Sequence, residues 1–229
     1  MTPRSAMIFA AGFGTRMRPL TDNMAKPMVP LLGRPMIEYA IEHARDAGAD
    51  TIVSNLHYKP DTLWTHLEAR GVQTILETPK ILDTGGGLHN ARDLLRGQAV
   101  WTMNPDAIWS GPNPLTFAAA HWRANDMDAL LVGIEPNMAI GVESEGDFAL
   151  GSDGKITRGA GVIYGGVQII KLDTLDLIED SVFSLNVVWD RLIEKGRCYG
   201  CTYPGQWCDV GHPGGIALAE ALLRGADHA

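Results

Sequence analysis

The chain begins with a run that is apolar at every position, Ala6-Met7-Ile8-Phe9-Ala10, and stops at Gly12. Such a run predicts a strand buried on both faces, as in a parallel sheet. The next pattern has a helical period. Ile37, Ile41, Ala44 and Ala47 recur between Pro35, which suits a first turn, and Gly48, which suits a stop. The two patterns then alternate. Strands are predicted at 51–55, 72–76, 99–103 and 129–134, and helices at 61–70, 88–95 and 116–125. Alternation of this kind implies a parallel sheet with right-handed crossovers.

From residue 147 the rhythm changes. Asp147-Phe148-Ala149-Leu150 and Lys155-Ile156-Thr157-Arg158 flank Gly151-Ser152-Asp153-Gly154, which predicts a hairpin. A long strand at 162–171 is interrupted by Gly165-Gly166, a mark of a bulge or of close ligand approach. A helix at 187–194, a strand at 197–202 and a helix at 215–223 complete the chain. The expected fold is α/β: a Rossmann-like mixed, mostly parallel sheet flanked by helices, forming one domain over residues 1–229.

Composition and charge narrow the function. Hydrophobic residues make up 45% of the 229 and charged residues 20%, ordinary for a folded chain. The net charge of −8 argues against nucleic acid as a partner. The charge is uneven, however. Arg4, Arg16, Arg18, Lys26 and Arg34 face only Asp22 in the first stretch, which suggests a local anionic ligand. No apolar run approaches the ~20 residues that cross a bilayer, so no membrane association is expected. The start lacks the apolar core of a signal peptide, and three late cysteines fit a reducing compartment, so a cytoplasmic location is expected.

The candidate chemistry follows the first strand: Ala10-Ala11-Gly12-Phe13-Gly14-Thr15-Arg16-Met17-Arg18-Pro19-Leu20-Thr21, then Lys26-Pro27. Glycines there permit a tight turn whose N–H groups can cradle phosphates. A dinucleotide-binding loop would need glycine at Met17, and the Walker loop's Gly-Lys-Ser/Thr is absent. What remains resembles the signature of sugar-phosphate nucleotidyltransferases, Gly-x-Gly-Thr-Arg-x-x-Pro-Leu-Thr followed by Lys-Pro. That resemblance implies that Ala11, Gly12, Gly14 and Thr15 wrap a nucleotide, that Arg16 clamps the β- and γ-phosphates, and that Lys26 sits against the α-phosphate. A planar guanidinium fork and a compact ammonium suit those tasks.

Three later segments extend the resemblance. Leu82-Asp83-Thr84-Gly85-Gly86-Gly87 is similar to a family segment whose backbone, here Gly85 and Gly86, borders base and sugar, with Glu77 near the base. Asn104-Pro105-Asp106 ends the fourth predicted strand, where open α/β sheets bind ligands. Asn104 is assigned to the nucleotide and Asp106 to the metal, although the family commonly has glycine where this chain has Pro105. Trp207-Cys208-Asp209-Val210-Gly211 supplies the second carboxylate, Asp209. Two carboxylates with triphosphate oxygens and water suit Mg²⁺.

The resemblance therefore implies a nucleotide-diphospho-sugar transferase fold. Residues 1–110 would hold mainly the nucleotide, and 111–229 mainly the sugar and the second metal ligand. The implied substrates are a nucleoside triphosphate and a sugar 1-phosphate. The catalytic residues would be Arg16, Lys26, Asp106 and Asp209, with Asp147 and Asn186 near the sugar and a monomer or small homo-oligomer as the working unit. The compact length and the Gly-Asp-Phe and Trp-x-Asp-Val-Gly segments favour UTP with N-acetylmuramic acid 1-phosphate, with GTP and heptose or mannose 1-phosphate as runner-up. A catalytically silent sugar-nucleotide-binding subunit is the alternative of another class. Cys198, Cys201, Cys208 and His212 could be drawn as a zinc site, but Cys198 and Cys201 fall on opposite faces of a predicted strand and are better explained as small apolar packing residues.

Overall fold

The initial apolar run becomes β1 (Ser5–Phe9) in the computed structural model, which describes residues 2–226. In chain order there follow α1 (Met36–Asp46), β2 (Thr51–Leu56), α2 (Pro60–Ala69), β3 (Gln73–Leu76), α3 (Asp83–Asn90), β4 (Ala99–Met103), β5 (Ala107–Ser110), α4 (Pro114–His121) and β6 (Ala129–Ile134). The later elements are β7 (Ala139–Ile140), β8 (Phe148–Leu150), β9 (Ile156–Arg158), β10 (Ile163–Lys171), α5 (Leu185–Glu194), β11 (Cys198–Thr202), β12 (Gln206–Asp209) and α6 (Pro213–Ala226).

Seven strands form the central sheet in the order β11-β6-β10-β4-β1-β2-β3. All neighbours run parallel except β10, which is antiparallel to both β4 and β6. The sheet is thus mixed and mostly parallel, as expected. The register of β10 on β6 shifts between Tyr164 and Gln168, which makes the glycine pair a bulge. The hairpin β8–β9 forms as predicted.

Alternation along β1 divides the core. Ala6 and Ile8 pack with Ile37 and Ile41 of α1, Leu63 and Leu67 of α2, and Leu115 of α4. Met7 packs on the opposite face with Leu88 of α3 and with Leu185, Val188 and Leu192 of α5. Helices therefore cover both faces, which is why the strand reads as a continuous apolar run. Each fully buried side chain of this kind contributes about 1.5–3 kcal/mol.

Two helices depart from expectation. The predicted helix at 88–95 begins five residues earlier, at Asp83, and runs through Gly85-Gly86-Gly87. Tertiary contacts override the poor helix propensity of glycine there. The helix predicted at 116–125 is α4, moved toward the amino terminus. Asn113 caps it by accepting from the Leu115 and Thr116 amides, and Pro114 occupies the first turn.

Pattern reading missed a second, three-stranded sheet. In it β12 pairs antiparallel with β5 and parallel with β7. Met17, Ile108, Cys208, Val210 and Ala219 form a third core cluster between this sheet, α6 and the amino-terminal loop. Among the described residues, no helix is long and apolar enough to cross a membrane.

Candidate active site

The chain leaves β1 through Ala10, Ala11 and Gly12, at the carboxyl end of the parallel strands. The Ala10 amide is held by the Asn55 side-chain oxygen at 2.9 Å. Gly14 adopts a left-handed φ of 62°, and a Cβ there would lie 2.9 Å from the Lys26 Cβ. Backbone and space both require glycine at this position. The single turn Thr15–Met17 then drops Met17 into the third core cluster. Thr15 and Arg16 stay exposed, fixed in place by their buried neighbour.

Lys26 opens a short turn, Lys26–Met28, and its ammonium lies 2.5 Å from Oδ2 of Asp106. Both side chains are mostly buried, at 14% and 23% exposure, so this pair is not a loosely solvated surface contact. Pro105 does not turn Asp106 away. It lines the same pocket as Asp106 and Lys26.

The small sheet delivers the second aspartate. The β5–β12 ladder sets Asp209 opposite Ala107, and the Val210 amide donates to the Asp106 carbonyl at 2.9 Å. The two aspartates, 103 positions apart in sequence, are thereby brought side by side. A Cβ on Gly211 would fall 2.5 Å from Oδ2 of Asp209 and 3.1 Å from Nη1 of Arg16. The carboxylate and the guanidinium thus converge over one glycine. Burial, and next the Asp106 charge, raise the carboxyl pKa of Asp209, while Lys26, Arg16 and His212 oppose the rise.

That electrostatic state suits a cation. The donors are two neighbouring carboxylates, hard oxygen ligands of the kind Mg²⁺ prefers. Among the described residues no set of three or more His, Cys, Asp or Glu could hold a metal. A cation here would take its remaining ligands from substrate oxygens or water.

Two adjoining pockets lie on the Lys26 and Asp106 side of this centre. The first is lined by Ala10, Ala11, Gly12, Lys26, Asn104 and Asp106, among others. The second contains both predicted sugar residues, Asp147 and Asn186. Phe9, Asp83, Thr84 and Asn104 line both. The Asn104 amide donates to the Gly166 carbonyl, so the bulge in β10 positions this shared wall. Asp147 accepts from the Tyr164 amide at 2.8 Å. Thr84 accepts from the Leu185 amide at 2.9 Å, which ties the start of α5, and with it Asn186, to the pocket wall.

Gly14, Thr15, Arg16 and Asp209 line neither pocket, and three further predicted contact residues, Glu77, Gly85 and Gly86, belong to the scaffold. Glu77 is 1% exposed, and both its oxygens are taken, one by Asn55 and the other by the Leu82 amide. It braces the floor behind the pocket. The Gly85 and Gly86 amides both donate to the Phe183 carbonyl, and neither residue lines either pocket. An added Cβ would lie 2.3 Å from the Phe183 ring at Gly85 and 2.4 Å from the Ser181 carbonyl at Gly86. These glycines let α3 approach the 181–183 segment. The pocket wall is made just before them, by Ile81, Asp83 and Thr84, with Asp83 at a left-handed φ of 61°. A non-glycine residue in that region is a strained feature of the kind that gathers at functional sites.

Sequence reading also missed Arg158, Tyr164 and Trp189 in the second pocket. The only sequence signal was their placement on a hairpin, a bulged strand and a helix that all lie in one half of the chain. The three cysteines are dispersed. Cys198, Cys201 and Cys208 belong to three different core clusters, and burial pushes their thiols up to about 12, 12 and 11.

The chain resembles known proteins in both sequence and fold. The profile of the nucleotidyl transferase family matches residues 5–141. The chain is 34% identical to an N-acetylmuramate alpha-1-phosphate uridylyltransferase of Caulobacter vibrioides, covering 98% of both chains. It is 28% identical to a probable mannose-1-phosphate guanylyltransferase of Arabidopsis thaliana, over 91% of this chain and 62% of that one. Among solved structures, a putative glucose-1-phosphate thymidylyltransferase from Bacillus anthracis superposes with a TM-score of 0.79 at 16% identity. The match covers 96% of this chain and 95% of that one.

Proposed function

The chain belongs to the nucleotidyl transferase family and is a sugar 1-phosphate nucleotidyltransferase, and we propose that it joins UTP to N-acetylmuramic acid 1-phosphate and releases pyrophosphate. The observation that carries the reading is the convergence of Arg16, Lys26, Asp106 and Asp209 at one mouth of the sheet.

The chemistry is in-line attack on the α-phosphorus. The attacking group is a phosphate oxygen of the sugar 1-phosphate, ionised at neutral pH, so no general base is needed. Catalysis is positioning and charge neutralisation. Lys26 neutralises charge at the α-phosphate. Arg16 offers its fork to the β- and γ-phosphates and steadies the leaving pyrophosphate. Asp106 and Asp209 would hold Mg²⁺, which when bound would offset the negative charge of the phosphates. Ala11, Gly12, Gly14 and Thr15 present backbone to the nucleotide, with Asn104 at the boundary between nucleotide and sugar. Asp147 and Asn186 contact the sugar. Within the chain, residues 1–110 serve mainly the nucleotide, and 111–229 mainly the sugar and the second metal ligand.

The full-length similarity to a uridylyltransferase supports the choice of substrates. On that choice the product is a UDP-sugar that serves the recycling of cell-wall peptidoglycan. Free, buried thiols fit a cytoplasmic setting, the net charge of −8 fits a protein that does not bind nucleic acid, and the working unit is a monomer or small homo-oligomer. Guanylyl transfer is the second reading, favoured by the similarity to the plant guanylyltransferase. The test is a matrix of four triphosphates against several sugar 1-phosphates, scored by magnesium-dependent pyrophosphate release. The account expects UTP with N-acetylmuramic acid 1-phosphate to give the highest kcat/KM. A preference for GTP with a heptose or mannose 1-phosphate would overturn the substrates and keep the reaction class.

A further inference from the structure

Arg158 is the one cationic residue lining the second pocket. Its guanidinium lies 4.7 Å from the centre of the Phe148 ring and 5.9 Å from that of Trp189. Its Nε donates to Asp190 at 2.8 Å and its Nη2 to the Asn186 carbonyl at 3.1 Å. Rings on one side and acceptors along one edge hold the fork in a single orientation. Nη1 donates to no acceptor among the described residues.

Sugar hydroxyls need no such group, because Asp147, Ser184 and Asn186 already offer donors and acceptors in the same pocket. Nor does Arg158 line the first pocket, where Lys26 and Asp106 lie. The phosphate end of the substrate is therefore served by other cations. The Asp190 carboxylate is half-exposed, so its pair with Arg158 is solvent-screened and leaves a second carboxylate room to bind.

We propose that Arg158 is a specificity residue that binds a carboxylate carried on the sugar itself, away from its phosphate. The inference rests on the proposed function, since N-acetylmuramic acid differs from N-acetylglucosamine only by a lactyl ether that ends in a carboxylate. A planar fork with a free edge is suited to that group, and charge-assisted hydrogen bonds of this type are the strong ones.

The test compares kcat/KM for N-acetylmuramic acid 1-phosphate and N-acetylglucosamine 1-phosphate, with UTP and magnesium, in wild type, Arg158→Gln and Arg158→Lys. Wild type should favour the carboxylated sugar. Arg158→Gln should cut that preference by about 10- to 100-fold, the scale of a hydrogen bond to a charged group, chiefly through KM. Arg158→Lys keeps the charge without the fork and should fall between. UTP binding reports whether each variant is folded, and Arg158→Lys carries the test if Arg158→Gln is not. An equal loss for both sugars, or a wild type with no preference, overturns the proposal. If wild type takes GTP while still favouring the carboxylated sugar, the choice of UTP fails and this inference stands.

Discussion

Asp128 and Asp209 both sit among cations, at opposite ends of the strands, and their environments push them in opposite directions. Asp128, just before β6, accepts from Nε and Nη2 of Arg197 and from Nζ of Lys171. The Arg197 hydrogen bond, opposed by burial and aided by Lys171, pulls its carboxyl pKa down. Asp209 is buried beside another carboxylate and its pKa is raised. At one end, cations satisfy a carboxylate and close the sheet. At the other, burial and a neighbouring carboxylate disfavour the ionised form of Asp209 more than the nearby cations favour it. Perturbed carboxylates of the second kind cluster at functional sites.

The sharpest way to break this comparison is to delete each aspartate. Asp209→Ala should cut pyrophosphate release by about 10²–10³-fold at saturating substrate, as the loss of a charge stabiliser does, with little change in melting temperature. Lys26→Ala should cost a similar amount. Turnover near wild type in either variant would remove that residue from the mechanism.

Asp128→Asn should do the reverse. It leaves Arg197 and Lys171 short of a partner and should lower stability by about 1–3 kcal/mol, measured by denaturant unfolding, with kcat unchanged. The pH dependence follows in sign. A depressed carboxyl pKa adds stability that is present above the ordinary value of 3.8 and is lost as pH falls through the lower folded value. The gap between wild type and Asp128→Asn should therefore shrink below that pH.

The smallest effect is on the stability of the metal-free protein. A raised pKa makes the ionised form of Asp209 costly, and the cost grows as pH rises through the window above 3.8. Asp209→Asn should raise Tm at neutral pH without magnesium, by no more than about 2–4 °C, the shift that 1 kcal/mol brings in a chain of this size. The gain should fade in acid. A drop in Tm instead would mean that Asp209 is satisfied within the protein, as Asp128 is.

The two regions also differ in how well they can be read from sequence. The loop from Ala10 to Lys26 was legible because its constraints are local: a left-handed glycine, a short turn and a proline lie within 18 residues of one strand. Asp106 and Asp209 were legible as candidates through their motifs. Their adjacency was not, because it depends on β5 and β12, strands of four residues each with no periodic signal. The glycines of α3 look like a turn. They lie in a helix, and glycine is needed there because the Phe183 ring, the Ser181 carbonyl and Glu77 crowd the positions where side chains would be. Arg158 was marked only by its place on a hairpin, since its role depends on rings and acceptors contributed by β8 and α5.

A double-variant cycle on Asp106 and Asp209 tests the shared centre most directly. The kcat/KM for UTP-dependent pyrophosphate release is measured in Asp106→Asn, Asp209→Asn and the pair together. If both carboxylates serve one cation, the double variant should be little worse than the poorer single one, because residues that act as a unit are strongly non-additive. Losses that multiply would contradict the account, and would mean that the two aspartates work at separate sites.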